Sequence, residues 1–541
     1  MGLFYTNRNN FKPQLPEILN LPFDQITSKY GHAPTPFGDE KEINKFFKLT
    51  YGQKAITFSA LQAEKKKEHN PINIVVVLSG GQAPGGHNVI AGLFDAMVKW
   101  NPSSHLYGAL GGPDGLVEGK LKELTLQDID AYRNTGGFDM IGSGRGKITT
   151  KEQFQAVSKV CKDHSIGAIV IIGGDDSNTN AAHLAEYFMR DDDSNIVVIG
   201  CPKTIDGDLK NSSIETSFGF DTATKTYSEL IGNIEKDALS AKKYWFFIRL
   251  MGRSASHVAL ECALKTHPNV CLIGEEVRAK NHTLSKIVDE IADVVKKRAE
   301  SGKNYGVCLI PEGIVEFIPE ISVLIDEINS ILAFHKEDLE NGHKIIEYLS
   351  KESAKCYEGL PKEIENSLLQ ERDPHGNVQV SKIESEKLIG MAVINKLKKD
   401  NIKMSVIYDF FGYEGRSAYP SNFDATYCYT LGYNAFLLAS SGATGYMSTV
   451  QNLSKPQKKW RLGGIPLVSM LDIEVRNGKK TPVIKKALVD LEGKPFKRFE
   501  ENRENWALND DYKSPGPIQY YGPDEIQNSI TITLSLESSK N

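Results

Sequence analysis

A doubly wound α/β protein built from two α/β halves is what the sequence predicts, and three observations predict it. Short β-branched apolar runs, Ile74 to Leu78, Ala168 to Ile172 and Ile196 to Ile199, each stop at a loop rich in glycine or aspartate, as buried parallel strands do. A second series of strands alternating with helical patterns runs from Tyr244 to Ile310. Between about Glu316 and Lys398 the character changes to charged segments with helical apolar spacing, which reads as an insertion of helices in the second half.

In chain order, residues 1–70 are polar with scattered aromatics and end in the charged run Glu64-Lys65-Lys66-Lys67-Glu68, an extension wrapped on the body. The strand Ile74 to Leu78 runs into Ser79-Gly80-Gly81-Gln82-Ala83-Pro84-Gly85-Gly86-His87-Asn88, after which Ile90, Leu93, Phe94 and Met97 fall at helical spacing. A strand, a glycine-rich turn and a helix turn backbone N–H groups and a helix N-terminus toward any anion. The same pattern also makes a tight βα turn that uses glycine only for its backbone freedom. It is neither a Walker A loop nor a good GxGxxG.

Leu106 to Leu110, followed by Gly111-Gly112-Pro113-Asp114-Gly115, and the stretch from Thr135-Gly136-Gly137 to Ile141-Gly142-Ser143-Gly144-Arg145, are further strand ends or turns. Arg145 stands among residues too small to shield it, open to an anion or simply to solvent. Leu184, Ala185 and Phe188 give the next helix its apolar face. In the second half, Tyr244 to Met251 is a strand, Ser254 to Lys265 a helix and Val270 to Ile273 a strand; a helix follows through Leu284, Ile287, Val288, Ile291 and Val295. Val307 to Ile310 ends in Pro311-Glu312-Gly313, Ile321, Leu324, Ile325 and Ile328 mark the insertion, and Met404 to Phe410 leads to Tyr413-Glu414-Gly415-Arg416.

Length and charge narrow the function. At 541 residues the chain exceeds one ordinary core, and a net charge of −5 argues against a general nucleic-acid binder. Its seven cysteines are odd in number and form no CxxC, so neither a zinc site nor a disulfide framework is expected, and a reducing compartment fits. No stretch has the length of a membrane span and no signal pattern opens the chain, so a cytoplasmic protein is expected. Met1-Gly2-Leu3-Phe4-Tyr5-Thr6 matches the bare myristoylation pattern, but one acyl chain anchors only marginally; Ser538-Ser539-Lys540-Asn541 is not a peroxisomal address.

The chemistry gathers in two strand-end loops, Gly173-Gly174-Asp175-Asp176-Ser177-Asn178-Thr179-Asn180 and Pro202-Lys203-Thr204-Ile205-Asp206-Gly207-Asp208-Leu209-Lys210. Aspartates so placed hold Mg²⁺ directly or through water, or accept a proton from a hydroxyl as it attacks phosphorus. Each taken singly is also a good turn-former or helix cap. Four of them in two matching loops at the ligand edge of one sheet favour chemistry, with Lys203 beside them to neutralise phosphoryl oxygens.

These residues resemble the phosphofructokinases, and within that family its long diphosphate-dependent branch. The resemblance runs from about Ile74 to about Gly464 and rests on six ordered motifs. They are Ser79-Gly80-Gly81 with Ala83-Pro84-Gly85 and Asn88, Gly173 to Ser177, Pro202 to Asp208, Met251-Gly252-Arg253-Ser254-Ala255-Ser256-His257, Pro311-Glu312-Gly313, and Tyr413-Glu414-Gly415-Arg416. It implies two Rossmann-like three-layer α/β domains with the active site between them, plus the helical insertion. Residues 71–240 with about 424–480 would bind the donor and 241–315 with about 399–423 the sugar phosphate; 1–70 and 481–541 would be extensions and 316–398 the insertion.

The implied reaction is reversible transfer of a phosphoryl group from diphosphate to the 1-hydroxyl of fructose 6-phosphate, giving fructose 1,6-bisphosphate and orthophosphate. By the same resemblance Asp206 is the general base, Asp175 the Mg²⁺ site, Gly81 the backbone contact to the donor and Asp208 a second acid. Thr204, Met251, Gly252, Arg253, Glu312, Tyr413 and Arg416 belong to the sugar-phosphate pocket, Ile205 and Glu414 are further substrate-binding positions, and Arg145 matches an arginine of shorter relatives that shares the developing charge with Lys203 and Arg253. Lys243 and Tyr244 are expected to reach into the partner's pocket, which makes a homodimer the working unit. ATP-using relatives have glycine where this chain has Asp176 and Lys203. Asp176 would exclude ATP's α-phosphate by volume and like charge, and Lys203 would hold the small donor. The rival readings are an ATP-dependent 6-phosphofructokinase and, of another class, a non-catalytic regulatory subunit; the presence of Asp175, Lys203, Asp206 and Arg253 weighs against the second.

Overall fold

The computed structural model describes residues 3–61, 69–190, 195–334, 344–369, 378–476 and 479–539; the charged run at 64–68, Gly2 of the acylation pattern and the last two residues lie outside them. The described strands are, in chain order, β1 (Ile26–Tyr30), β2 (Ile56–Ala60), β3 (Asn73–Leu78), β4 (Leu106–Ala109), β5 (Leu121–Glu123), β6 (Ile166–Gly173), β7 (Val197–Thr204), β8 (Phe218–Gly219), β9 (Trp245–Leu250), β10 (Val270–Cys271), β11 (Gly306–Pro311), β12 (Val406–Phe411), β13 (Tyr446–Gln451), β14 (Arg461–Pro466), β15 (Leu471–Arg476) and β16 (Lys479–Ile484). The chain divides into two compact units. One comprises 1–223, 414–487 and 518–530, the other 224–413, 488–517 and 531–541.

The first unit holds a sheet in the order β1-β2-β14-β13-β7-β6-β3-β4-β5, with β8 alongside the end of β7. Its centre, β4-β3-β6-β7-β13, is parallel, and β5, β14, β2 and β1 join antiparallel at the two sides. The apolar runs are continuous because both faces are covered. Val75, Val77, Ile169, Ile171 and Val198 pack against Ala181, Leu184, Ala185 and Phe188 of the helix Asp175–Arg190, while the alternate residues Ile74, Val76 and Leu78 are equally buried. The expected N-terminal extension proves to supply two strands, since Thr57 and Ile56 of β2 pair with Gly463 and Gly464 of β14. β2 lies between β1 and β14, and its five-residue alternation Ile56 to Ala60 is too short to show which sheet it joins.

Helices Gly86–Trp100 and Asn422–Ser440 of this unit cross at glycine. A Cβ at Gly432 would fall on the carbonyl oxygen of Val89, and one at Gly92 on that of Tyr429, closer than real contacts allow. Gly432→Ala is therefore expected to cost about 1–3 kcal/mol of stability in urea denaturation. A change below about 0.5 kcal/mol would show that the helices part freely.

The second unit carries an all-parallel sheet in the order β10-β11-β9-β12. Trp245, Phe247, Cys308 and Ile310 meet Ile287, Ile291 and Val295 of the helix Leu284–Glu300 and Leu388, Ile389 and Val393 of the helix Ser385–Lys399. The stripe Ile321, Leu324, Ile325 and Ile328 on the helix Pro319–Phe334 is buried in the same core. Inside this unit Arg249 bridges Glu386 at 2.9 Å and lies 4.2 Å over the Phe410 ring.

Each sheet has a point where the strand order reverses. In the first unit the chain goes from β3 to β4 on one side and returns to β6 and β7 on the other; in the second, β11 and β12 flank β9 from opposite sides. Crevices for ligands in open α/β sheets form beyond the carboxyl ends of strands at such points. Among the described residues no helix is long and apolar enough to cross a membrane.

Candidate active site

At the switch point of the first unit, three strand ends come together. Ser79 follows β3, Gly174 and Asp175 follow β6, and Lys203 and Thr204 close β7; Ser177 Oγ donates to Ser79 Oγ at 2.8 Å across the gap. Lys203 is buried, and its Nζ donates to the carbonyl oxygen of Gly81 at 2.7 Å. Burial pulls this ammonium down to about 8, Arg145 and Arg416 push in the same direction, and Asp206 and Asp175 hold it up. A buried cation is tolerated here because a carbonyl and two carboxylates compensate its desolvation.

Gly81 is the meeting point of the other cations. A Cβ at that position would lie 3.6 Å from the Arg416 guanidinium and 3.9 Å from that of Arg145. Arg145 reaches this place because its loop is laid flat on the end of β3. Gly80 N–H donates to the Gly144 carbonyl at 2.8 Å, and a Cβ on Gly144 would strike the carbonyl oxygen of Gly111. Gly144 is thus required by close backbone approach, while a Cβ at Gly146 would meet the Asp114 carboxylate.

Four carboxylates face this cluster from the same unit. Asp175 and Asp176 open the helix Asp175–Arg190, where the macrodipole favours anions irrespective of function. Lys486 Nζ lies 3.4 Å from Asp175 Oδ2, and Lys147 Nζ 3.0 Å from Asp176 Oδ1. Lys486 is delivered by backbone bonds on either side of it: Ile484 N–H donates to Thr179 Oγ1 at 3.0 Å and Ala487 N–H to the Asp208 carbonyl at 2.7 Å. Asp206 is half-buried, with its N–H donating to Thr204 Oγ1 at 3.0 Å, whereas Ile205 and Asp208 are buried. Burial, and then the charges of Asp206 and Asp175, push the Asp208 carboxyl well above the ordinary carboxylate range. Asp206 is the more accessible of the two carboxylates in this loop.

No group of three or more His, Cys, Asp or Glu among the described residues has the geometry to cage a metal ion. A hard divalent cation needs no such cage, since it takes one or two carboxylates and completes its shell with water and substrate phosphate. Half-buried Asp175 fits, and a cation beside it would relieve the carboxylate repulsion felt at Asp208.

In the second unit, the ends of β9, β11 and β12 converge. Met251 N–H donates to the Phe411 carbonyl and Glu312 N–H to that of Leu250, each at 2.9 Å, and Gly252 N–H donates to Glu312 Oε2 at 3.2 Å. Glu312 is buried, so its carboxylate fixes the turn that carries half-buried Arg253. Tyr413 is 63% exposed and meets the Phe410 ring edge-on at 6.0 Å, and Glu414 next to it is exposed. Lys243 and Tyr244, with Nζ 5.1 Å over the ring, precede β9 and so stand at the opposite end of that strand from Met251. Eight residue steps of extended chain, about 26 Å, lead from Lys243 to Met251.

Sequence reasoning missed Lys147 and Lys486. The first lies two residues beyond Arg145 in the same glycine-rich loop, a signal that was there to be used; the second follows a hairpin beyond the last motif and has none.

Compared with known proteins, residues 73–439 match the family model described as phosphofructokinase. The chain is 50% identical over 98% of its length, and 98% of the relative's, to a pyrophosphate–fructose 6-phosphate 1-phosphotransferase of Porphyromonas gingivalis. It is 49% identical to one of Entamoeba histolytica, with 100% of both chains covered. Among solved structures, a pyrophosphate-dependent phosphofructokinase from Nitrosospira multiformis shares the fold with a TM-score of 0.54 at 18% identity, over 84% of this chain and 96% of that one.

Proposed function

This chain belongs to the phosphofructokinase family, and on that premise we propose that it transfers a phosphoryl group from diphosphate to the 1-hydroxyl of fructose 6-phosphate, in either direction. The observation that carries the reading is the set of cations around Gly81, Lys203 with Arg145 and Arg416, opposite the carboxylates Asp175 and Asp206. Phosphoryl transfer needs such a pairing of charge stabilisation with a base, because its loose transition state spreads charge over the phosphoryl oxygens. Purified protein that phosphorylates fructose 6-phosphate with ATP but not with diphosphate would overturn it.

In this mechanism Asp206 takes the proton of the 1-hydroxyl as it attacks. Lys203, Arg145 and Arg416 share the charge on the moving group, and the place of Arg416 beside Gly81 supports a contact with that group in addition to the sugar phosphate. Asp175 would hold Mg²⁺, whose chemistry is to neutralise the donor's oxygens. Asp208, buried in the same loop, ties it to the segment carrying Lys486 through its carbonyl, which accepts from the Ala487 N–H. Arg253, Glu312, Met251, Gly252 and Tyr413 of the second unit serve the sugar phosphate. Lys243 and Tyr244 stand too far along β9 to join Met251 in the same chain, which supports a homodimer in which they complete the partner's pocket. The enzyme works in the cytoplasm, in keeping with seven cysteines that are all free thiols.

Lys203 sets a pH dependence. Its pKa of about 8 lies below the ordinary 10.5, so the charge that binds the donor is lost as pH rises through 8. Stability moves the other way: between these two values the unfolded chain binds a proton that the folded chain lacks, so this group's contribution to stability grows with pH. The kcat/KM for diphosphate is expected to fall above about pH 8, and Lys203→Arg, which stays charged, should move that fall to higher pH. An unmoved alkaline limb in the arginine variant would assign it to another group.

A further inference from the structure

Asp176 poses an electrostatic problem that its role against ATP does not solve. Resting on the donor reading above, a carboxylate that repels a nucleotide's α-phosphate also repels diphosphate, which carries a higher charge density. The structure places a specific remedy next to it. Lys147 Nζ meets Asp176 Oδ1 at 3.0 Å, with the two side chains 32% and 35% exposed.

The pair is assembled by backbone clamping. Asn180 lies one helical turn after Asp176 on the same face of the helix Asp175–Arg190. Its Nδ2 donates to the Ile148 carbonyl at 2.6 Å, and its Oδ1 accepts from the Ile148 N–H at 3.1 Å. Both Asn180 and Ile148 are buried, so the strand of loop carrying Lys147 is fixed to the helix at one residue's remove. The ammonium's place at Asp176 is thereby set by a two-way hydrogen bond in the interior rather than by the mobility of a surface lysine.

We propose that Lys147 is a specificity-determining positioning residue. It neutralises and holds the Asp176 carboxylate, so that this side chain excludes the larger donor by volume without repelling diphosphate. Lys147 thus acts with Asp176 and Lys203 as a third member of the donor switch. An ion pair so exposed contributes little to folding, so its effect belongs to donor affinity.

The test uses full-length protein, with calorimetric binding of methylenediphosphonate, a diphosphate that cannot transfer, alongside KM and kcat for diphosphate. Lys147→Met is expected to weaken analogue binding and raise the diphosphate KM about tenfold. Its kcat should change less than about threefold, its KM for fructose 6-phosphate should hold, and its thermal midpoint should stay within about 2 °C of the parent. Lys147→Arg should restore affinity. Removing both charges, in Lys147→Met with Asp176→Asn, should return analogue affinity to within about threefold of the parent, since net charge at the site is then unchanged. An analogue affinity unaltered in Lys147→Met overturns the proposal, and so does a double variant as weak as Lys147→Met alone, which would mean that Lys147 touches the donor itself. Failure of the donor reading shows elsewhere: the parent protein would phosphorylate fructose 6-phosphate with ATP but not with diphosphate, whatever the charge-restoration result.

Discussion

Replacing Asp206 by alanine is expected to lower kcat at least about a thousandfold while fructose 6-phosphate still binds within about threefold of the parent affinity. The four loop aspartates differ in what their surroundings let them do. Asp175 and Asp176 are each engaged by a lysine, Asp208 is buried with its carboxyl pushed upward, and Asp206 is half-buried at the turn after β7. A general base must be reachable, and Asp208 is buried, so it offers no substitute when Asp206 is lost. Single-turnover kinetics with equilibrium binding of the sugar phosphate would separate the two effects. Turnover retained within about tenfold would remove Asp206 from the base role.

The second large effect is a change of donor. Asp176→Gly with Lys203→Gly is expected to cut kcat/KM for diphosphate by about a hundredfold or more and to bring in measurable use of ATP. Loss of Lys203 removes the ammonium that sits on the Gly81 carbonyl, and loss of Asp176 clears both volume and charge from the start of the helix. Glycine near the end of β7 also weakens the strand, so Lys203→Met in place of Lys203→Gly provides a variant without that cost. A ratio of diphosphate to ATP activity unchanged in both double variants would show that these positions do not choose the donor.

Much of this was legible in the chain itself because the parallel core writes its position twice, once in the apolar runs and again in the loops that end them. Ile74 to Leu78 and Ala168 to Ile172 are strands as expected, and the aspartate loops sit at the switch point. Legibility fails where a structure depends on partners distant in sequence. Strands β1 and β2 are largely half-exposed, and the short alternation Ile56 to Ala60 reads as a strand without showing which sheet it joins. Lys486 is ordinary until the hairpin β15–β16 brings it to Asp175, and Lys147 until Asn180 holds its neighbour. Arg416 was read with the sugar phosphate through its motif, and only folding puts its guanidinium beside Gly81.

The sheet order also dictates when the enzyme can become itself. Strands β1 and β2 leave the ribosome early, yet β2 pairs with β14, and Asp175 meets Lys486 still later in the sequence. At ordinary elongation rates the roughly 310 residues between Asp175 and Lys486 take about 15 to 60 s to make. For that interval the growing chain carries its catalytic loops without their last cation, and a hairpin whose outer edge has nothing to pair with. The Asp175–Lys486 pair therefore forms only late in synthesis, and a chain interrupted before β14 leaves an edge of β2 unpaired.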